Sequence, residues 1–174
     1  KFDPIPQDDY FRLQAFFAAY PDARLIWTHR DPVQLAASRI VMATALTRAF
    51  SGHVNESEQA AIHLAATRAG VRDTLANPLL EDPRIFHVRY PDFIADPVGT
   101  IAAFYAFCGL ALTAEAARSM RDYLQTNKGD RYGKIHYSSD IIGADIDELN
   151  REFAAYRERF GLEIEQRSQP ALPA

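Results

Sequence analysis

The stretch ARLIWTHRDPVQLAASRI, residues 23–40, decides the fold of this chain. Its first half, residues 24–28, is a short apolar run with β-branched and aromatic members, which predicts a buried strand. Its second half predicts a helix, because Asp31 is a favourable N-cap and Pro32 suits the first helical position. The chain therefore passes directly from a strand into a helix, as the units of α/β proteins do.

Arg30 and Ser38 are candidate anion-binding residues at this junction. The amino end of a helix favours anions, because free N–H groups and the positive end of the helix dipole point outward there. Arg30 adds a planar, permanently charged guanidinium that suits phosphate. Ser38 follows the cap by nearly two helical turns and shares its face, so a phosphate on that flank would contact both side chains. From the residues alone an alternative stays open, in which Arg30 pairs with a neighbouring acid and Ser38 faces solvent.

A second strand is predicted at residues 84–89, RIFHVR, where β-rich residues alternate. About fifty residues of mostly helical pattern separate the two strands, so we expect them to be parallel and adjacent or nearly so. Tyr90 comes at the carboxyl end of the second strand, the edge at which open α/β sheets bind ligands. Tyr90 is therefore a candidate ligand contact, and an aromatic rim residue with its hydroxyl in water is the alternative.

The remaining helices are predicted from their capping residues and apolar periodicity. They run from Asp8 or Asp9 to Ala19, from Asn55 to about Ala76, from Asp96 to Gly109, from Thr113 to about Thr126 and from Asp145 to Gly161. The last one has apolar residues at four-three-four spacing and predicts one buried face: Leu149, Phe153, Tyr156 and Phe160. The helix after Asn55 is expected to bury a face of Ile62, Ala65, Ala66 and Ala69. Residues 127–134, NKGDRYGK, predict a loop, either solvated or able to approach a phosphate through its glycines and cations.

Together these motifs resemble those of sulfotransferases that use 3′-phosphoadenosine-5′-phosphosulfate (PAPS), especially the bacterial members. The strand followed by (T/H)-R-D-P, with a serine eight residues after the arginine, is similar to that family's 3′-phosphate segment and implies this role for Arg30 and Ser38. The segment after the second strand looks like the family's Y-E-D stretch and implies an adenine contact for Tyr90, although a proline stands where glutamate is common. The late loop is similar to the family's Arg/Lys-Gly loop, which implies a phosphate contact from Lys128 first and Arg131 second.

The resemblance covers roughly residues 9–162 and implies an α/β fold, a parallel sheet flanked by helices related to P-loop nucleotide kinases. It implies a sulfotransferase that moves a sulfuryl group from PAPS, the co-substrate, to a hydroxyl or amine of a small-molecule or metabolite acceptor. The sequence has no G-x-x-x-x-G-K-[ST] motif, and the family's amino-terminal phosphosulfate-binding loop is not found. We therefore expect residues 1–165 to form one partial sulfotransferase-like domain that supplies the 3′-phosphate-binding part and is incomplete for catalysis, with a flexible tail at residues 166–174.

Two alternatives stay open: a nucleotide-binding or interaction homologue without catalysis, and a small-molecule kinase of related fold. None of the five histidines stands in metal-ligand spacing with another His, Cys or carboxylate, so no metal is expected. His53 and His63 fall where the resemblance would place an acceptor pocket, with a solvent-facing role as the alternative.

The net charge of −4 argues against nucleic-acid and membrane-surface partners. No signal peptide and no apolar run long enough to span a bilayer is found, so we expect a cytoplasmic protein. The acceptor, the catalytic base and the formation of a homodimer stay open.

Overall fold

The computed structural model describes residues 9–127 and 139–165, which divide into two sets of mutually contacting segments. The helical unit takes residues 9–21, 30–82 and 139–165 of the described chain, and the sheet unit takes residues 22–29 and 83–127. The single domain expected over residues 1–165 stays a prediction, and the tail at residues 166–174 lies outside the described residues.

The elements follow the order that the sequence predicts, with short additions. They are α1 (Asp9–Ala19), β1 (Leu25–His29), α2 (Pro32–Ser51), α3 (Glu56–Leu75), β2 (Ile85–Arg89), α4 (Tyr90–Ala95), α5 (Pro97–Phe107), α6 (Ala114–Thr126), α7 (Ile146–Glu152) and α8 (Ala154–Phe160). Short 3-10 turns lie at Pro78–Glu81 and Ser139–Ile142. The α4 helix and the turn at Ser139–Ile142 are additions to the predicted elements, whereas the proline-flanked turn before β2 is expected from the sequence.

In the sheet unit, β1 and β2 are parallel neighbours, as predicted. Helix α5 covers β2, and the ring of Phe86 lies 5.8 Å from that of Phe104 and 5.2 Å from that of Phe107. Along the strands, Trp27 stacks on two imidazoles, with ring centroids 5.8 Å from His29 and 5.9 Å from His87. A hydrogen bond of 2.7 Å joins Nε2 of His29 to Nδ1 of His87, so side chains as well as backbone connect the two strands.

The core of the helical unit lies between α2, α3 and the carboxyl-terminal segment. The N-cap of α2, Asp31, is buried. Gly52 caps the other end of the helix, and its φ of 73° is left-handed, a conformation that suits glycine. The buried residues of this core are Val33, Ala36, Ala37, Ile40, Ala60, Leu64, Ile142, Leu149 and Phe153. Residues that are more than a hundred positions apart in sequence thus share one apolar cluster.

Two features of the predicted helices differ from the structure. The single helix expected over residues 145–160 is divided at Phe153, whose φ of −93° and ψ of 9° end α7 and begin α8. The apolar face nevertheless continues across the break, because Phe153 is 1% exposed and Tyr156 is 8% exposed. On α3 the predicted core face is wrong: Ile62 is 52% exposed, whereas Leu64 is buried. Alanines lie on all sides of α3, so its periodicity does not single out one face.

Among residues 9–127 and 139–165, no helix combines the length and the apolar character needed to cross a membrane.

Candidate functional site

The carboxylate of Asp31 caps the amino end of α2. The N–H of Val33 donates to Oδ1 of Asp31 at 3.1 Å, and the N–H of Leu35 donates to the Asp31 carbonyl at 2.9 Å. Pro32, the first helical residue, has no N–H to offer. A negative charge therefore already occupies the positive end of the α2 dipole. An external anion at this position would therefore have to bind through the Arg30 side chain more than through the helix end.

Asp31 belongs to a buried ion pair with Arg157 of α8. Nη1 of Arg157 lies 3.1 Å from Oδ1 of Asp31, and the two side chains are 6% and 1% exposed. The other carboxylate oxygen, Oδ2, accepts the backbone N–H of Glu165 at 3.0 Å. Arg157 also donates from Nη2 to the carbonyl of Asn150. Both charges are thus compensated and hydrogen-bonded, which is the condition under which a buried ion pair is tolerated.

Arg30 forms a bidentate ion pair with the carboxylate of Glu165. Nε donates to Oε1 at 2.9 Å, and Nη2 donates to Oε2 at 2.8 Å. The side chains are 22% and 26% exposed, so this pair lies closer to solvent than the pair of Asp31 and Arg157. Arg30 therefore does pair with an acid, the alternative that the residues alone left open, but its partner lies 135 positions away in sequence.

The contact with Glu165 shows the kind of group that the Arg30 guanidinium holds in the structure. A carboxylate and a phosphate offer a guanidinium the same edge of two oxygens, and arginine binds both in the same two-bonded way. The Arg30 guanidinium already binds the Glu165 carboxylate in this way. The 3′-phosphate role that the resemblance implies for Arg30 stays a prediction.

The other predicted site residues lie in different parts of the chain. Ser38 is half-buried on α2, about 10 Å further along the helix than Asp31 at the standard helical rise. Tyr90 is half-buried and is the first residue of α4 in the sheet unit, directly after β2, as predicted. Lys128 and Arg131 lie outside the described residues. Convergence of all five residues on one nucleotide stays a prediction.

Sequence reasoning missed Arg157 and Glu165. Asp31 was expected as a cap only, and its ion pair joins residues 126 positions apart. A signal for Arg157 existed, because this arginine directly follows Tyr156 on the predicted buried face of the last helix. Glu165 had no signal, since it follows the glycine that ends α8 and belongs to no periodic pattern.

Burial shifts the pKa of two further groups in the helical unit. Burial raises the pKa of Tyr156 to about 12, so this phenol stays neutral at physiological pH. The pKa of His63 lies below its ordinary value of 6.5, mainly through burial and secondarily through the charge of Arg39. His63 is half-buried on α3, and His53 is exposed between α2 and α3. Within the described parts of the chain, no three His, Cys, Asp or Glu side chains are grouped so that they could hold a metal ion.

Comparisons with known proteins identify the family. The sequence model of the Sulfotransferase family matches residues 8–114, a range that includes Arg30, Ser38 and Tyr90. No curated protein matches the chain.

Two solved structures are similar to it. Sulfotransferase STF9 from Mycobacterium avium is 29% identical with a TM-score of 0.72, over 90% of this chain and 41% of that one. Sulfotransferase STF1 from Mycobacterium tuberculosis H37Rv is 28% identical with a TM-score of 0.64, over 82% of this chain and 36% of that one. The chain thus spans less than half the length of either protein. Its fold is the P-loop-like α/β fold of sulfotransferases, and the predicted fold class is confirmed.

Proposed function

The chain belongs to the sulfotransferase family, and from this premise we propose that it binds PAPS and takes part in sulfuryl transfer to a hydroxyl or amine acceptor. PAPS supplies the sulfuryl group, and the role we assign to the described residues is to hold its 3′-phosphate. The observation that supports the proposal is the bidentate ion pair between Arg30 and the Glu165 carboxylate beside the start of α2. A phosphate monoester carries more negative charge than a carboxylate and offers the same pair of oxygens.

In this proposal the site residues have distinct tasks. Arg30 binds two oxygens of the 3′-phosphate, and the Ser38 hydroxyl donates a hydrogen bond to it. Tyr90 contacts the adenine, and Lys128 or Arg131 adds a second cation. All of these contacts are remote from the sulfuryl group, so they anchor and orient the donor, and the general base is a different residue. The small-molecule acceptor and the cytoplasmic location remain predictions from the sequence.

Binding of adenosine 3′,5′-bisphosphate, measured by calorimetry, tests the proposal. We expect Arg30→Ala to weaken binding by about tenfold or more, because it removes charge-assisted hydrogen bonds, each worth about 1.5–3 kcal/mol. Ser38→Ala should cost less, since it removes a single neutral donor. The control is Arg24→Ala, which deletes the same charge at an exposed arginine whose side chain donates to the nearby carbonyls of Asp22 and Ala23.

Three outcomes would contradict the proposal. Unchanged affinity in Arg30→Ala would remove the assignment of this residue. Preference for ATP with magnesium would favour the kinase alternative. Binding of neither nucleotide by the wild-type chain would favour an interaction homologue.

A further inference from the structure

Glu165 binds the Arg30 guanidinium that the proposed function assigns to a phosphate. We propose that Glu165 is an internal competitor for the nucleotide's 3′-phosphate, so that nucleotide binding displaces residues 163–165 from the start of α2. This inference rests on the proposed function and adds regulation of the same site.

The competition follows from the geometry of the ion pair. Glu165 takes the Nε and Nη2 donors of Arg30 at 2.9 and 2.8 Å, one oxygen on each. A guanidinium offers this edge to one planar pair of oxygens at a time. A phosphate added beside the carboxylate would also bring two anions to one cation, which is unfavourable. Phosphate and carboxylate therefore exclude each other at this edge.

The backbone holds the Glu165 carboxylate in place. The N–H of Glu165 donates to Oδ2 of Asp31 at 3.0 Å, and Asp31 is itself fixed by Arg157 and by the N–H of Val33. Since this tether keeps the carboxylate beside Arg30, its effective concentration there is high. A free nucleotide must compete with an anion that never diffuses away.

Displacement needs only a short movement of the chain. Leu162 is 9% exposed, and its N–H donates to the carbonyl of Arg157 at 2.9 Å, which anchors the chain just before the moving residues. Glu163 and Ile164 are exposed, so their movement uncovers little apolar surface. The segment to be displaced is thus residues 163–165, with α8 unchanged.

Glu165→Gln tests the competition by removing the charge while keeping the shape. We expect it to bind adenosine 3′,5′-bisphosphate about two- to fivefold more tightly than wild type, the range that corresponds to a partly exposed ion pair. The matched control is Glu163→Gln, which removes the same charge two residues away at an exposed position and should bind like wild type. In the Arg30→Ala background the gain from Glu165→Gln should disappear, because the contested donors are absent.

Two outcomes of this measurement would overturn the inference. Weaker binding by Glu165→Gln would mean that Glu165 positions Arg30 for the nucleotide. Binding equal to wild type would mean that the carboxylate does not compete. If Arg30→Ala weakens binding in either case, the proposed function survives. If wild type, Glu165→Gln and Glu163→Gln all fail to bind, the proposed function and this inference fail together.

Hydrogen exchange gives a second, independent readout on the intact chain. Adenosine 3′,5′-bisphosphate should speed amide exchange at residues 163–165, because displacement breaks the hydrogen bond from the Glu165 N–H to Asp31. Exchange in α8 should stay as slow as before. Slower or unchanged exchange at residues 163–165 under saturating nucleotide would contradict displacement.

Discussion

Arg30 and Asp31 are adjacent in sequence, yet their charges have opposite tasks. Asp31 is 1% exposed and bonded on both oxygens, so it anchors the fold. The Arg30 side chain is 22% exposed and holds its partner near solvent, so that partner can be exchanged at a modest cost. Burial of the carboxylate and partial exposure of the guanidinium thus distinguish a structural ion pair from the pair that we propose opens to the nucleotide.

Arg157→Met should lower the free energy of unfolding by about 3–5 kcal/mol, because it leaves the Asp31 carboxylate buried without its cation. Urea unfolding of the variant and wild type measures the loss. The control is Arg151→Met, which removes an exposed arginine of α7 and should change stability by less than about 0.5 kcal/mol.

Adding Asp31→Asn to Arg157→Met should restore part of the loss, since no unpaired charge is then buried. A double variant less stable than Arg157→Met by the full effect of Asp31→Asn alone would show that the two side chains are not coupled.

For single residues, contacts between positions close in sequence could be predicted, and contacts between distant positions could not. The cap by Asp31 uses an N–H two residues away, so local pattern suffices to predict it. The ion pair with Arg157 joins residues 126 positions apart, so local pattern can mark this arginine as buried and cannot predict which acid it contacts. A family motif marks Arg30 and Ser38 as candidates in the sequence. Glu165, the acid that pairs with Arg30, is found only from the folded structure.

Helix ends were the most predictable elements. Asn55, Asp96, Thr113 and Asp145 each accept the backbone N–H of the residue three positions later, at 2.9 to 3.2 Å, as their sequence positions predict. Helix faces were predictable only where large apolar side chains mark them. The face of α7 and α8 is marked by leucine and aromatic residues and was correct, whereas the alanine-rich α3 was assigned the wrong face.

Phe153→Ala should lower the free energy of unfolding by about 3–5 kcal/mol, because the ring is 1% exposed in the core shared with α2 and α3. Phe50→Ala is the matched control: this ring on α2 is 87% exposed, so its loss should change stability by less than about 0.5 kcal/mol. Chemical denaturation of both variants makes the comparison. Similar losses in the two would show that Phe153 does not fill the core.

For the molecule as a whole, the parallel order of the strands was predictable and the division into two units was not. Two strands joined by a long helical connection are expected to be parallel and close in the sheet, and β1 and β2 are parallel neighbours. The chain passes from one unit to the other between residues 21 and 22, between 29 and 30, and between 82 and 83. No linker of distinctive composition marks these points in the sequence. Composition marks boundaries between consecutive domains, and it carries no signal when the segments of two units alternate along the chain.

The stack of Trp27 on two imidazoles makes this residue an optical reporter of one unit. Trp27 is the only tryptophan of the chain, so indole emission reports the environment of β1 and β2. Circular dichroism, in contrast, is dominated by helices, which occur in both units. The strands are joined through residues 30–82 of the helical unit, and unfolding that segment would turn it into a long flexible loop whose closure costs entropy. We therefore expect emission and dichroism to change at the same urea concentration, and two separate midpoints would show that the units melt independently.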